Sequence, residues 1–289
     1  MNYEKFGGEL YIFPTGDNLR TSGFLMGAES DEVIVFLHGM GGNFYKWGIL
    51  QGAREILDRG ISLFTFNNRG AEIVKDFKDL EGEHHTLGTA FENFEECTED
   101  ISAALDLLED IGYSRFHLLG HSTGCQKILY YAYKSKDPRI SSLIHLAPAD
   151  DYEIWRNELG EDFLRIVDIA NDMISRGEGN KIIWELYEKT GTLWTASRFL
   201  SFASRENWEA KMFNYENLEI FSQVKLPTLI FLGNEDPYFL KPIDFYAEKL
   251  RNAYKGEKLK LKIVNGGDHS FHGKEKEVFG EIVEFVKSL

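Results

Sequence analysis

The chain has 289 residues and a formal net charge of −15, from 47 acidic against 32 basic side chains. Charge of that sign excludes a nucleic-acid backbone or an anionic membrane surface as partner, because nothing offsets the repulsion. An apolar fraction of 43%, with 14% aromatic residues, excludes a disordered chain and suffices for one large core, or a core with an insertion.

The two cysteines, Cys97 and Cys125, both fall in helical patterns. One bridge in a chain of this size is not the framework of a secreted scaffold, so buried, reduced thiols are expected. Residues 1–8 lack a basic segment followed by an apolar run, so no leader is expected. No stretch approaches the roughly 20 apolar residues that span a bilayer. A soluble, cytoplasmic protein is the expectation.

Residues 9–13 and 19–26 read as strands joined by Pro14-Thr15-Gly16-Asp17-Asn18, an antiparallel hairpin at a sheet edge. The apolar run Val33–Leu37 has the composition of a strand buried on both faces, and it ends in His38-Gly39-Met40-Gly41-Gly42. A helix near residues 47–58 and a strand over 61–66 follow. Residues 67–88 read as a polar loop, with Arg69 at the surface and His84-His85 solvated. The spacing of Ile101, Leu105 and Leu108 predicts a helix from about Phe94 to Ile111, with Glu95, Glu96, Glu99 and Asp100 on its solvated face.

A short apolar run, Phe116–Leu119, then enters Gly120-His121-Ser122-Thr123-Gly124, and a helical pattern runs from Cys125 to Lys134. Ser142–Leu146 is another buried strand. Strands and helices alternating in this way predict βαβ units and an α/β fold with a mostly parallel, doubly wound sheet. The alternation breaks after Asp150. Residues 151–222 show no strand pattern and read as several helices, with Trp155, Trp184, Trp194 and Trp208 among them. It resumes with a strand over 227–233, a helix near 243–252, a strand over 259–264 and a closing helix over 275–287. The division expected is a core of residues 1–150 and 223–289, with 151–222 inserted into it.

Gly-x-Ser-x-Gly between a strand and a helix is the form of a nucleophile elbow. Such a turn strains Ser122 and lifts its hydroxyl above the sheet, and a Cβ at Gly120 or Gly124 would collide with a neighbouring element. A serine hydroxyl needs a base to act as a nucleophile. His269 directly follows the last strand, in Gly266-Gly267-Asp268-His269; His272 and the pair His84-His85 compete with it. The base needs an orienting carboxylate. Asp236 follows the preceding strand, in Gly233-Asn234-Glu235-Asp236, with Glu235 and Asp150 as competitors. The C-terminal ends of parallel strands share one edge, so these residues can meet there. The amides of Met40 and Thr123 are the candidate donors to an oxyanion, each such donor typically worth about 10²–10³ in rate. His121 packs beside the elbow. No His/Cys/Asp grouping has metal-ligand spacing and no Gly-rich loop matches a phosphate or dinucleotide pattern.

On His38-Gly39-x-Gly41-Gly42, the Gly120–Gly124 elbow, Gly233-Asn234-Glu235-Asp236 and Asp268-His269, the chain resembles the α/β-hydrolase superfamily over essentially its whole length. The order Ser122, Asp236, His269 is the order that superfamily uses. An insertion after the sixth core strand is where it places a helical cap, the position of residues 151–222. The fuller elbow Gly-His-Ser-Thr-Gly-Cys-Gln is also similar to a branch that includes siderophore esterases. The resemblance implies a serine esterase acting on a small or medium carboxylic ester, a small-molecule substrate, and no cofactor. A thioesterase, amidase or C–C hydrolase would use the same triad, and a ligand receptor without turnover would share the fold. The Trp-rich cap favours an uncharged acyl or aromatic group, and the acidic surface disfavours polyanions such as CoA esters.

Overall fold

The computed structural model describes residues 5–27, 30–45 and 47–289. Residues 1–4, part of the stretch read above as lacking a leader, lie outside the described residues. Strands β1 (Glu9–Pro14) and β2 (Arg20–Met26) form the expected antiparallel hairpin. Strand β3 (Glu32–Leu37), helix α1 (Trp47–Leu57) and strand β4 (Ser62–Phe66) follow.

The polar loop expected over residues 67–88 instead holds a small two-stranded sheet of β5 (Lys75–Lys78) and β6 (His84–Leu87). Only Phe77 and Leu87 of these strands pack inward, against Leu19 and Ala71. One apolar side chain per strand leaves no alternation for the sequence to display. His84 and His85 are exposed, bonded to Asp76 and Asp79.

A 3-10 turn (Phe94–Glu96) leads into α2 (Cys97–Asp110), and then come β7 (Arg115–His121), α3 (Thr123–Ser135) and β8 (Ile140–Leu146). Residues 151–222 contribute α4 (Asp151–Leu159), α5 (Asp162–Ser175), α6 (Trp184–Thr190), α7 (Ala196–Ala203), α8 (Trp208–Met212) and α9 (Glu219–Gln223). The chain closes with β9 (Thr228–Gly233), α10 (Ile243–Ala253), β10 (Leu259–Val264) and α11 (Glu275–Lys287).

The main sheet has eight strands in the order β1-β2-β4-β3-β7-β8-β9-β10. From β4 to β10 every neighbouring pair is parallel, and β1 and β2 run antiparallel at one edge. The fold is α/β, a mostly parallel doubly wound sheet. Period-2 alternation sends Val33, Val35 and Leu37 to one face, against Ile101 and Leu105 of α2 and Ile128 of α3. It sends Ile34 and Phe36 to the other, against Ile49 and Ile56 of α1 and Ile282 of α11. Burying each such side chain contributes about 1.5–3 kcal/mol, which makes the doubly covered strands the foundation of the fold.

The helices of residues 151–222 divide between two cores. Leu159, Phe163, Trp194, Phe199 and Phe202 of the α4–α7 stretch form a cluster of their own. Phe213, Tyr215 and Phe221 belong to the main core beside α3.

Two surface expectations are corrected. Arg69 is buried, and so is Asp100. The Arg69 Nη2 donates to Asp100 Oδ1 at 3.0 Å and its amide to Asp100 Oδ2 at 2.8 Å, with Asp17 and Glu96 also on the guanidinium. Carboxylates from the β1–β2 turn and from α2 converge there, and only that convergence makes burial of the cation tolerable.

His145 of β8 is wholly buried, edge-on to Phe213 with ring centroids 5.2 Å apart. Among the described residues, neither ring nitrogen has a hydrogen-bond partner. Burial pushes its pKa down from 6.5 to about 3. The unfolded chain therefore takes a proton below about pH 6.5 that the folded chain refuses until about pH 3. Stability falls as pH drops through that window, by up to about 1.4 kcal/mol per unit from this one group. Urea unfolding between pH 7 and pH 4.5 is expected to show a shallower loss in His145→Leu than in the parent. Equal slopes would remove His145 as the source.

Candidate active site

The turn between β7 and α3 is a single residue long. Ser122 sits there with φ 54° and ψ −128°, a conformation costing a non-glycine residue about 1–3 kcal/mol that surrounding packing must hold. The hold is visible. A Cβ on Gly124 would lie 2.3 Å from the Leu37 carbonyl oxygen, and one on Gly120 would lie 2.4 Å from that of Gly124. The Ser122 amide donates to the Leu146 carbonyl at 3.0 Å. Cys125 and Cys97 are both buried and unbridged, and the Cys125 Sγ donates to the Gly120 and Leu146 carbonyls at 3.2 Å.

His269 stands in the turn after β10 and Asp236 in the turn after β9. Their turns press together, since a Cβ on Gly233 would lie 2.3 Å from the Gly267 carbonyl oxygen. His269 Nδ1 donates to Asp236 Oδ2 at 2.8 Å, while Asp236 Oδ1 accepts the Tyr238 amide at 2.9 Å. With the Nδ1 proton committed to the carboxylate, Nε2 of the neutral imidazole is the acceptor. The His269 carbonyl accepts His121 Nε2–H at 2.8 Å, and the Tyr238 ring stands edge-on at 4.6 Å from the His269 ring. His121 thus packs beside the elbow, as its place in the turn implies, and braces the turn that carries His269.

The competing residues are otherwise engaged. Asp150 receives Arg205 Nη1 on Oδ1 at 2.9 Å and Nη2 on Oδ2 at 2.7 Å, and caps α4. His272 pairs with Asp268 at 2.7 Å on the surface, and Glu235 is exposed.

Ser122, His269 and Met40 all open onto one cavity of about 470 Å³. Thr123 follows Ser122 as the first residue of α3 and is buried. The helical stretch 151–222 supplies Trp155 and Trp194 to the wall, and these rings meet edge to face at 5.4 Å. Trp184 is exposed and Trp208 packs on Tyr130 of α3, so the tryptophans split between cavity wall and packing. Among the described residues, the lining carries the carboxyl groups of Asp151 and Glu158 and neither Lys nor Arg. Asp151 Oδ2 accepts Gln126 Nε2–H at 2.7 Å and the Thr123 hydroxyl at 3.4 Å. Burial, and then the Glu209 carboxylate, push the Asp151 carboxyl well above the usual carboxylate range. Sequence reading passes over Asp151, Thr89 and Tyr238. Of these only Asp151, adjacent to a weighed acid after a strand, carries a local signal. Among the described residues, no group of three or more His, Cys, Asp and Glu side chains is placed to hold a metal ion.

A nucleophile-elbow serine and an Asp-oriented histidine on one cavity is an arrangement suited to acyl transfer. The model of a family described as "Protein of unknown function (DUF1749)" matches residues 86–289. No curated protein matches the sequence. Among solved structures, the siderophore hydrolase EstB from Aspergillus fumigatus is 17% identical with a TM-score of 0.70, over 99% of this chain and 98% of that one. Est1E from Butyrivibrio proteoclasticus, solved with ferulic acid bound, is 16% identical with a TM-score of 0.68, over 96% and 98%. A thermostable carboxyl esterase from Bacillus coagulans is 13% identical with a TM-score of 0.70, over 98% and 99%. The sheet order, the elbow and these likenesses agree on the α/β-hydrolase fold, and the chain belongs to the DUF1749 family.

Proposed function

We propose that the protein is a serine hydrolase that cleaves a small or medium carboxylic ester through an acyl-enzyme on Ser122. The observation that carries this reading is the 2.8 Å bond from His269 Nδ1 to the buried Asp236 carboxylate, with His269 and Ser122 in the wall of the same cavity. Ser122 Oγ bonds to the ester carbon as His269 Nε2 takes its proton, and Asp236 keeps the imidazole in the competent tautomer. The Met40 and Thr123 amides receive the oxyanion. Collapse expels the alcohol, which leaves with the proton from Nε2. Water then repeats the sequence on the acyl-enzyme, releasing the acid and restoring Ser122.

The substrate class follows from the wall. Trp155, Trp194, Met40 and Ile154 offer an apolar surface for an acyl or aromatic group, and the Glu158 carboxylate at the wall disfavours anions. Similarly folded proteins include esterases and a hydrolase of siderophores, which supports ester cleavage as the reaction type. In this reading the helices of residues 151–222 form a cap over the strand ends, limiting water access and acyl size. Unbridged, buried Cys97 and Cys125 fit a reducing, cytoplasmic compartment.

A fluorophosphonate is expected to label Ser122 alone, and Ser122→Ala to lose both the label and the turnover of p-nitrophenyl esters. Label at another serine, found by peptide mass spectrometry, removes the assignment. For the acid, Asp236→Asn is expected to lower kcat by about 10⁴, while Asp150→Asn changes kcat little and lowers Tm through the lost partner of Arg205. Steady-state kinetics with the reverse ranking would place the acid after β8. Trp155→Ala, by widening the cavity, is expected to raise kcat/KM for octanoyl relative to acetyl esters at least tenfold. An unchanged ratio would mean that this ring does not bound the acyl site.

A further inference from the structure

Thr89 lies two residues beyond β6, wholly buried and in the cavity wall. Its Oγ1 accepts the Gly41 amide at 2.7 Å and donates to the Gly70 carbonyl at 2.7 Å. Its own amide donates to the Glu72 carbonyl at 2.9 Å, and its carbonyl accepts Arg198 Nε at 3.1 Å. One residue therefore touches the loop that carries Met40, the loop after β4, and helix α7 of the insertion.

The geometry is directional. The hydroxyl has one proton, and Gly70 takes it, so the lone pair offered to Gly41 has a fixed bearing. Gly41 lies at φ 62°, and the next residue is held as well, with the Gly42 carbonyl accepting the Glu72 amide at 2.8 Å. Rotating the Met40–Gly41 peptide would break the bond to Thr89. On its other side, Thr89 is tied to a side chain with no freedom of its own. Arg198 Nη2 meets Glu209 at 2.9 Å and Glu92 at 3.2 Å, and Glu92 meets Lys127 of α3 at 2.5 Å. All four of these side chains are buried to 2% exposure or less.

We infer that Thr89 is a positioning residue. It presets the Gly39–Gly41 loop so that the Met40 amide faces the oxyanion, and it locks that loop to the helical insertion through Arg198. The inference rests on the serine-hydrolase reading above.

Thr89→Val keeps the shape and removes the hydroxyl, whereas Thr89→Ser keeps the hydroxyl. Misplacement by about 1 Å costs on the order of 10² in rate, and a whole oxyanion donor about 10²–10³. With a p-nitrophenyl ester, Thr89→Val is expected to lower kcat per active site about 10- to 100-fold, with KM within about threefold of the parent. Thr89→Ser is expected to hold kcat within about threefold. Active sites are counted by the endpoint of fluorophosphonate titration, so a purely structural role lowers the count and leaves kcat per site unchanged. Normal kcat per site in Thr89→Val, a change confined to KM, or a Ser variant as impaired as the Val variant overturns the inference. Should Thr89→Val fail to fold, Thr89→Ala against Thr89→Ser decides by the same ratio. Ser122→Ala separates the two readings: turnover surviving there removes the serine mechanism itself. An inactive Ser122→Ala beside a fully active Thr89→Val removes only the role of Thr89.

Discussion

The site depends on two backbones lying closer than side chains allow. At Gly124 the chain passes so near the end of β3 that a Cβ would stand 2.3 Å from the Leu37 carbonyl oxygen. That contact sets where α3 begins against β3 and β7, and the φ of 54° at Ser122 is what the turn requires to connect them. It also brings the N-terminus of α3, with its positive dipole end, to the C-terminal edge of the sheet. The turns after β9 and β10 meet at the same edge by the same device, the close approach of Gly233 to Gly267. Asp236 and His269 are therefore delivered to each other by sheet geometry, and their hydrogen bond needs no long side chain to reach across.

A second constraint is electrostatic. Glu92, Lys127, Arg198 and Glu209 are ions taken almost wholly out of water. Desolvation costs several kcal/mol per ion, so such a set is weak evidence for stability. What it specifies is position, because leaving one partner buried alone costs about 3–5 kcal/mol. Lys127 comes from the helix behind the elbow, Arg198 from α7 and Glu209 from α8, so the set fixes α7 and α8 against α3 at one place. Gly70 accommodates it: a Cβ there would lie 2.3 Å from Glu92 Oε2. The helices of residues 151–222 are thus joined to the sheet-covering helices by charge pairing on one side and, through Phe213, Tyr215 and Phe221, by apolar packing on the other.

The strands, the elbow and the residues after β9 and β10 are legible from sequence, because each is announced locally. Doubly buried strands are unbroken apolar runs such as Val33–Leu37, and Gly-x-Ser-x-Gly needs only its five residues and its flanks. The β5–β6 hairpin is not legible, since it packs through Phe77 and Leu87 alone, one per strand, among polar neighbours. Arg69 and Asp100 read as surface for the same reason. Their burial depends on partners contributed by the β1–β2 turn and by α2, and a lone charge in a sequence does not show its partner.

By itself, then, the sequence determined the α/β alternation, the place where it is interrupted, and the serine, histidine and acidic residues that follow strand ends. Only the tertiary structure decided which acid reaches His269. Asp150 and Asp236 carry the same local signal, an aspartate just past a strand. One is taken by Arg205, 55 residues away, and the other by His269, 33 residues away. Thr89 was likewise beyond reach of the sequence. Its two side-chain bonds go to Gly41 and Gly70, 48 and 19 residues away, and a hydroxyl announces no partner until the backbone has been folded around it.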